Sequence, residues 1–179
     1  MKKILAVMPF NEKHKEKIEQ YAPGCEFTYS TIQAVTHEQV NEADIILGNV
    51  KPAMAAKAPH LEWIQLNSAG YDAYMKSDVL KKETLLTCAT GAYGLAVSEG
   101  MMTMTLMLCR KMDLYAKNQM THTWQGEGKI TSIYGSTTLI IGMGDIGSAY
   151  ARHMKAMGSY VIGIKRDISN KPDYVDELH

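Results

Sequence analysis

Thr137-Thr-Leu-Ile-Ile-Gly-Met-Gly-Asp-Ile-Gly147 runs an apolar stretch straight into the spacing Gly142-x-Gly144-x-x-Gly147. Leu139-Ile140-Ile141 is largely β-branched and suits a parallel strand buried on both faces. Gly142 permits a tight turn, Gly144 lets a pyrophosphate approach the backbone with no Cβ in the way, and Gly147 lets a helix pack closely on the strand. Residues 148–157 contain good helix formers, Gly158 suits a left-handed C-cap, and Tyr160-Val-Ile-Gly-Ile164 reads as a second strand. Together these pieces make a dinucleotide-binding βαβ unit, in which the unpaired N–H groups and partial positive charge of the helix N-terminus face a diphosphate. The cofactor positions on this reading are Gly142, Met143, Gly144, Asp145, Ile146 and Gly147. A glycine-rich turn in another kind of α/β protein is the alternative.

The end of the second strand bears on which dinucleotide is bound. NAD sites usually place a carboxylate about twenty residues past the turn, where it meets the ribose hydroxyls. Here the strand is followed by Lys165 and Arg166, and only then by Asp167. A cationic pair at that point attracts a 2′-phosphate and favours NADP over NAD. The alternative leaves both cations solvated and lets Asp167 serve the ribose.

Upstream, residues 3–8, 27–29, 43–48, 62–66 and 85–88 read as strands. Residues 12–21, 36–40 and 52–58 read as helical, with Thr36 as an N-cap. The alternation argues for a doubly wound parallel sheet, whose ligands bind beyond the carboxyl ends of the strands. Asn49, Ser68-Ala69-Gly70 and residues 91–94 therefore point toward one site. Residues 97–112 read as one long helix capped near Ser98, and its run Met101-Met-Thr-Met-Thr-Leu-Met107 as adaptable packing buried between elements. Residues 115–135, with Trp124 and several glycines, read as an irregular arm of the functional or interacting kind. The domain boundary falls near residue 96, giving domains 1–96 and 97–179.

Composition narrows the function classes. The 179 residues are 46% hydrophobic and 21% charged, as in an ordinary soluble globular protein, and a formal net charge of zero gives no footprint for nucleic acid or an anionic membrane. Residues 101–109 are too short an apolar run to span a bilayer, and Pro9 ends the N-terminal one before it could be a signal segment. Cys25, Cys88 and Cys109 are odd in number and widely spaced, which suits reduced thiols in a cytoplasmic protein. The six histidines lack metal-ligand spacing, so no metal site is expected.

The order of these pieces resembles the D-isomer-specific 2-hydroxyacid dehydrogenases. The resemblance is carried by Leu61-Glu-Trp-Ile-Gln-Leu-Asn-Ser-Ala-Gly-Tyr-Asp72, by Ala96-Val-Ser-Glu-Gly100, by residues 118–125 with Trp124, and by Tyr134-Gly135 ahead of the glycine turn. It implies a flavodoxin-like substrate domain interrupted by a Rossmann domain, of which this chain holds the first βαβ unit. It also implies NAD(P)-dependent reduction of small 2-oxo acids to D-2-hydroxy acids, with hydride transfer between the two domains. Amides around Ser68, Ala69 and Gly70, with Asn49 nearby, would hold the substrate carboxylate, since consecutive N–H groups in such a turn form an anion nest. Val97, the glycine turn, Lys165 and Arg166 would hold the cofactor.

The departures matter as well. The family's catalytic arginine, glutamate and histidine lie beyond the second Rossmann strand, and His122, His153 and His179 do not match them, so no catalytic residue is assigned. Gly100 stands where the family commonly has histidine or another bulky residue. The chain is therefore expected to be the N-terminal part of such an enzyme, inactive alone, and either stabilised by dimerising through residues 97–112 and the arm or a piece of a longer polypeptide. A nucleotide-sensing module and a structural remnant that dimerises are the alternatives. An open parallel edge is expected beside the two Rossmann strands, and the mostly polar residues 167–179 read as frayed.

Overall fold

Ile4, Leu5, Ala6 and Val7 are buried in succession, which marks β1 (Lys3–Val7) as a central strand covered on both faces. The computed structural model, which describes residues 1–76 and 79–179, sets β1 between β2 (Glu26–Tyr29) and β3 (Ile45–Gly48). With β4 (Trp63–Gln65) and β5 (Leu85–Thr87) they form a five-stranded parallel sheet in the order β2-β1-β3-β4-β5. That is the flavodoxin-like doubly wound order expected from the sequence, with its switch point between β1 and β3. Leu5, Ile46, Ile64 and Leu66 are exposed by 1% or less and form the centre of its core.

The connecting helices start where local chemistry dictates. α1 (Glu12–Tyr21) is capped by the Asn11 side chain, which accepts the His14 N–H at 3.0 Å. α2 (His37–Glu42) opens with a capping box between Thr36 and Gln39. α3 (Pro52–Ala55) has its proline in the first turn. It stops short of the expected residue 58 because the N–H groups of Lys57 and Ala58 bond three residues back, to Met54 and Ala55.

Gly48 ends β3 at φ +114°, and a Cβ there would lie 2.3 Å from the Val7 carbonyl oxygen. Gly48→Ala should therefore cost about 3 kcal/mol through backbone strain and close approach. Urea unfolding would show this as a lowered midpoint, and an unchanged midpoint would refute it.

The first unit is Met1–Thr90 and the second Gly91–His179. The second holds α4 (Gly94–Arg110), α5 (Met112–Met120), β6 (Thr137–Ile141), α6 (Asp145–Ala156), β7 (Tyr160–Ile164) and β8 (Glu177–Leu178). Its strands are parallel in the order β6-β7-β8, and α4 packs along α6.

Several expectations change here. The long helix begins at Gly94 and breaks at Lys111, whose left-handed φ of 55° closes α4, and α5 then takes up part of the segment expected to be irregular. Ser98 is not a cap. It is wholly buried, its Oγ bonds to the Leu95 carbonyl at 2.9 Å, and it meets His153 Nε2 at 3.1 Å. The methionine run is buried on one side only: Met101, Met102 and Leu106 pack on the core, whereas Met104, Met107 and Leu108 face solvent. β6 is likewise one-sided, with Ile140 buried while Leu139 and Ile141 are 58% and 82% exposed.

The tail is not frayed. Val175 is buried, Arg152 lies over the Tyr174 ring, and Asp176 accepts both the Lys155 ammonium at 2.6 Å and the Val161 N–H at 2.7 Å. These anchors let β8 pair with β7, so among the described residues the sheet has three strands, with β6 and the short β8 at its edges. The bond from Lys155, then that from Val161, holds the Asp176 carboxyl below its ordinary 3.8. A carboxyl depressed in the folded state adds stability that is complete above its unfolded pKa and is lost as pH falls through the folded one. The melting temperature should thus drop more steeply below that range in the wild type than in Asp176→Asn. Parallel acid limbs would count against the anchor. Among the described residues, no helix is long and apolar enough to cross a membrane.

Candidate functional site

In the second unit the glycine turn joins β6 to α6. Gly142 adopts φ +102° and donates its N–H to the Ile164 carbonyl at 3.0 Å, as Met143 does at 3.3 Å. The turn is thus tied to the end of β7. The Met143 side chain is buried against Gly163, where a Cβ would meet its Cγ at 2.8 Å, so any ligand contact from Met143 comes from its backbone. A Cβ on Gly147 would lie 2.0 Å from the Gly142 carbonyl oxygen, which explains the third glycine. Gly144 has no atom within 4 Å of its Cβ position. That vacant space beside the first N–H groups of α6, which have no acceptor inside the helix, fits a diphosphate.

Lys165, Arg166 and Asp167 line the same cleft as Gly142, Met143 and Gly144. The Lys165 backbone is held by an N–H bond to the His179 carbonyl at 2.7 Å. Asp167 accepts the Ser169 N–H at 3.0 Å, and its carboxyl lies below its ordinary value because of Ser169 first and the Lys165 charge second. Asp145 opens α6, a favourable place for a carboxylate, and its Oδ1 would stand 2.5 Å from a Cβ on Gly94. Ile146 follows it in the first turn of α6. Val97 sits on α4, 40% exposed, and does not line this cleft.

In the first unit the carboxyl ends of β3 and β4 bring Asn49, Ser68 and Gly70 into one groove, together with Lys51, Asp72 and Tyr74. Asn49 Oδ1 accepts the Asn67 N–H at 2.7 Å, its Nδ2 donates to Ser68 Oγ at 3.0 Å, and Ser68 Oγ donates to the Gly70 carbonyl at 2.8 Å. The Ser68 carbonyl accepts the Ala89 N–H at 3.0 Å. Among the described residues no acceptor meets the N–H groups of Ser68, Ala69 or Gly70. Sequence reasoning missed the pinning of Lys165 by His179 and the tail anchor at Asp176. No local pattern signals either, since both depend on partners far along the chain.

The two units define a class: a doubly wound α/β unit, and a second unit whose β6 runs through a GxGxxG glycine turn into α6. A sequence model described as "D-isomer specific 2-hydroxyacid dehydrogenase, NAD binding domain" matches residues 102–178. A solved D-isomer specific 2-hydroxyacid dehydrogenase family protein from Aeromonas salmonicida subsp. salmonicida aligns with 99% of this chain and 57% of its own, at 27% identity and a TM-score of 0.83. Two others share the fold at lower identity. A D-lactate dehydrogenase from Aquifex aeolicus, complexed with NAD and lactic acid, covers 96% of this chain and 53% of its own at 20% identity, TM-score 0.75. An acyclic imino acid reductase in complex with NADPH and D-Arg covers 99% and 60% at 18% identity, TM-score 0.77. The resemblance read from the sequence holds: residues 102–178 match the NAD-binding domain of the D-isomer-specific 2-hydroxyacid dehydrogenases, and the whole chain has the fold of part of one. The chain spans little more than half the length of these relatives, from 53% to 60%.

Proposed function

We propose that this chain is the N-terminal part of an oxidoreductase that reduces small 2-oxo acids to D-2-hydroxy acids with NADPH in preference to NADH. The nucleotide, when bound, supplies the hydride. The chain's own residues bind and orient: the N–H groups at Gly144–Gly147 take the diphosphate, and Lys165 and Arg166 the 2′-phosphate. Ser68, Ala69 and Gly70 take the substrate carboxylate. The observation that carries this reading is that Lys165 and Arg166 line one cleft with the glycine turn while Asp167 is engaged by Ser169. The relatives' ligands, NAD with lactic acid in one and NADPH in another, support the cofactor class and leave preference to these cations.

On this reading the 179 residues bind nucleotide without turnover, because the arginine, glutamate and histidine implied by the family have no counterpart among them. The exposed apolar side chains of α4 and α5, including Leu95, Met104, Leu108 and Met120, support a homodimer. The three unpaired thiols support a reducing, cytoplasmic setting. Calorimetric titration with NADPH and with NADH tests the proposal. Saturable binding favouring NADPH, with no oxidation of it in the presence of glyoxylate, is expected. Equal or absent binding, or turnover, would overturn it.

A further inference from the structure

We infer that Asn49 is a positioning residue for the carboxylate turn, acting through a chain of hydrogen bonds from Asn49 through Ser68 to Gly70. This rests on the carboxylate reading above. A count of protons fixes the direction of the chain. The Asn67 N–H can only donate, so the Asn49 atom facing it at 2.7 Å is the carbonyl oxygen. The other end of that amide is then an NH2 group, which can only donate to Ser68 Oγ at 3.0 Å. The hydroxyl, accepting there, sends its single proton to the Gly70 carbonyl at 2.8 Å. Each group has one orientation, set by a backbone N–H eighteen residues from Asn49.

The chemical consequence concerns charge. The turn offers the N–H groups of Ser68, Ala69 and Gly70 to an anion, but it also contains carbonyl oxygens, which repel one. The Ser68 carbonyl is engaged by the Ala89 N–H and the Gly70 carbonyl by the Ser68 hydroxyl. Two of the three carbonyl oxygens of Ser68, Ala69 and Gly70 are thus held by donors before any ligand arrives, and the turn meets a carboxylate with much of its polarity already set. Asn49 keeps the Ser68 hydroxyl pointed that way. Its carbonyl oxygen serves Asn67 and one of its two amide hydrogens serves Ser68, so the proposed influence runs through Ser68, and the Ser68 variants separate it from a contact by the second amide hydrogen.

The test is an amide-resolved NMR titration of the whole 179-residue chain with oxamate, a planar 2-oxo acid mimic. In the wild type, saturable shifts are expected at Ser68, Ala69 and Gly70. Asn49→Ala and Ser68→Ala should each weaken oxamate by about tenfold. Both should move the Gly70 carbonyl-carbon resonance in the same direction before ligand is added. Ser68→Thr, which keeps the hydroxyl, should restore the affinity and the resonance. Wild-type affinity in Asn49→Ala, or an unmoved Gly70 carbonyl in both alanine variants, would overturn the positioning role and leave the carboxylate reading standing. Loss of affinity in Asn49→Ala with none in Ser68→Ala would make Asn49 a direct contact and overturn it too. Absence of oxamate binding by the wild type would overturn both. If Asn49→Ala fails to fold, Asn49→Asp takes its place: it keeps an oxygen facing the Asn67 N–H and loses the NH2 donor to Ser68, so an unmoved Gly70 carbonyl resonance in it would overturn the positioning role.

Discussion

Gly147→Ala should abolish nucleotide binding and lower the melting temperature, whereas Gly144→Ala should do only the first. At Gly147 the added Cβ would sit 2.0 Å from the Gly142 carbonyl oxygen and 3.1 Å from its carbon. Both are backbone atoms, so no side chain can rotate away. Either α6 lifts from β6 or the turn opens, and overpacking of that kind costs about 1–3 kcal/mol. The same movement misaligns the N–H groups meant for a diphosphate. Losing two hydrogen bonds to a charged group, at about 1.5–3 kcal/mol each, weakens binding by a hundredfold or more. Gly144 differs, because its Cβ position is empty and its φ of −82° suits any residue. Alanine there leaves the free chain as stable as before and fills the space through which the diphosphate approaches. Calorimetric melting with nucleotide titration separates the two variants. Wild-type NADPH affinity in Gly144→Ala would place the nucleotide elsewhere.

The second large effect concerns the choice of nucleotide. Lys165→Ala with Arg166→Ala should weaken NADPH by about a hundredfold, from two charge-assisted bonds to the 2′-phosphate. NADH, which lacks that phosphate, should change by threefold or less. The preference measured as a ratio of dissociation constants would then vanish or invert. A double variant that loses both nucleotides equally would show the cations serving the shared diphosphate. One that loses neither would make them solvated strand-end residues. Because Lys165 contributes a backbone bond as well as an ammonium, alanine is the right replacement: it keeps the N–H that reaches His179.

Much of this molecule is legible in its sequence, and the reason is locality. The Thr36–Gln39 capping box, Pro52 in the first turn of α3, the positive φ of Gly142 and the close approach of Gly147 to Gly142 each answer to the chain within a few residues. The buried run of β1 is equally plain, since a central parallel strand needs apolar side chains on both faces. The failures come where a distant partner decides. Lys111 takes a left-handed φ of 55° although lysine carries no signal for it. Leu139 and Ile141 look like core and are exposed, because burial of a strand face depends on what covers the sheet. Residues 174–178 look like a solvated tail, yet Asp176 is tied to Val161 and Lys155, fifteen and twenty-one positions away. The candidate site divides the same way: the turn at Ser68–Gly70 proposed to take an anion is local in the sequence, while the relay from Asn49 to Gly70 appears only once β3 and β4 lie side by side.

If Lys165 holds the nucleotide as proposed, the bond from its N–H to the His179 carbonyl makes the tail and the nucleotide thermodynamic partners. If a docked tail steadies Lys165 and so raises nucleotide affinity by some factor, bound nucleotide must favour tail docking by that same factor, because coupling between two equilibria is reciprocal. Strand β8 would then be a reporter as well as a structural element. Filling the cleft should be felt some thirteen residues along the chain, at a segment that touches no phosphate.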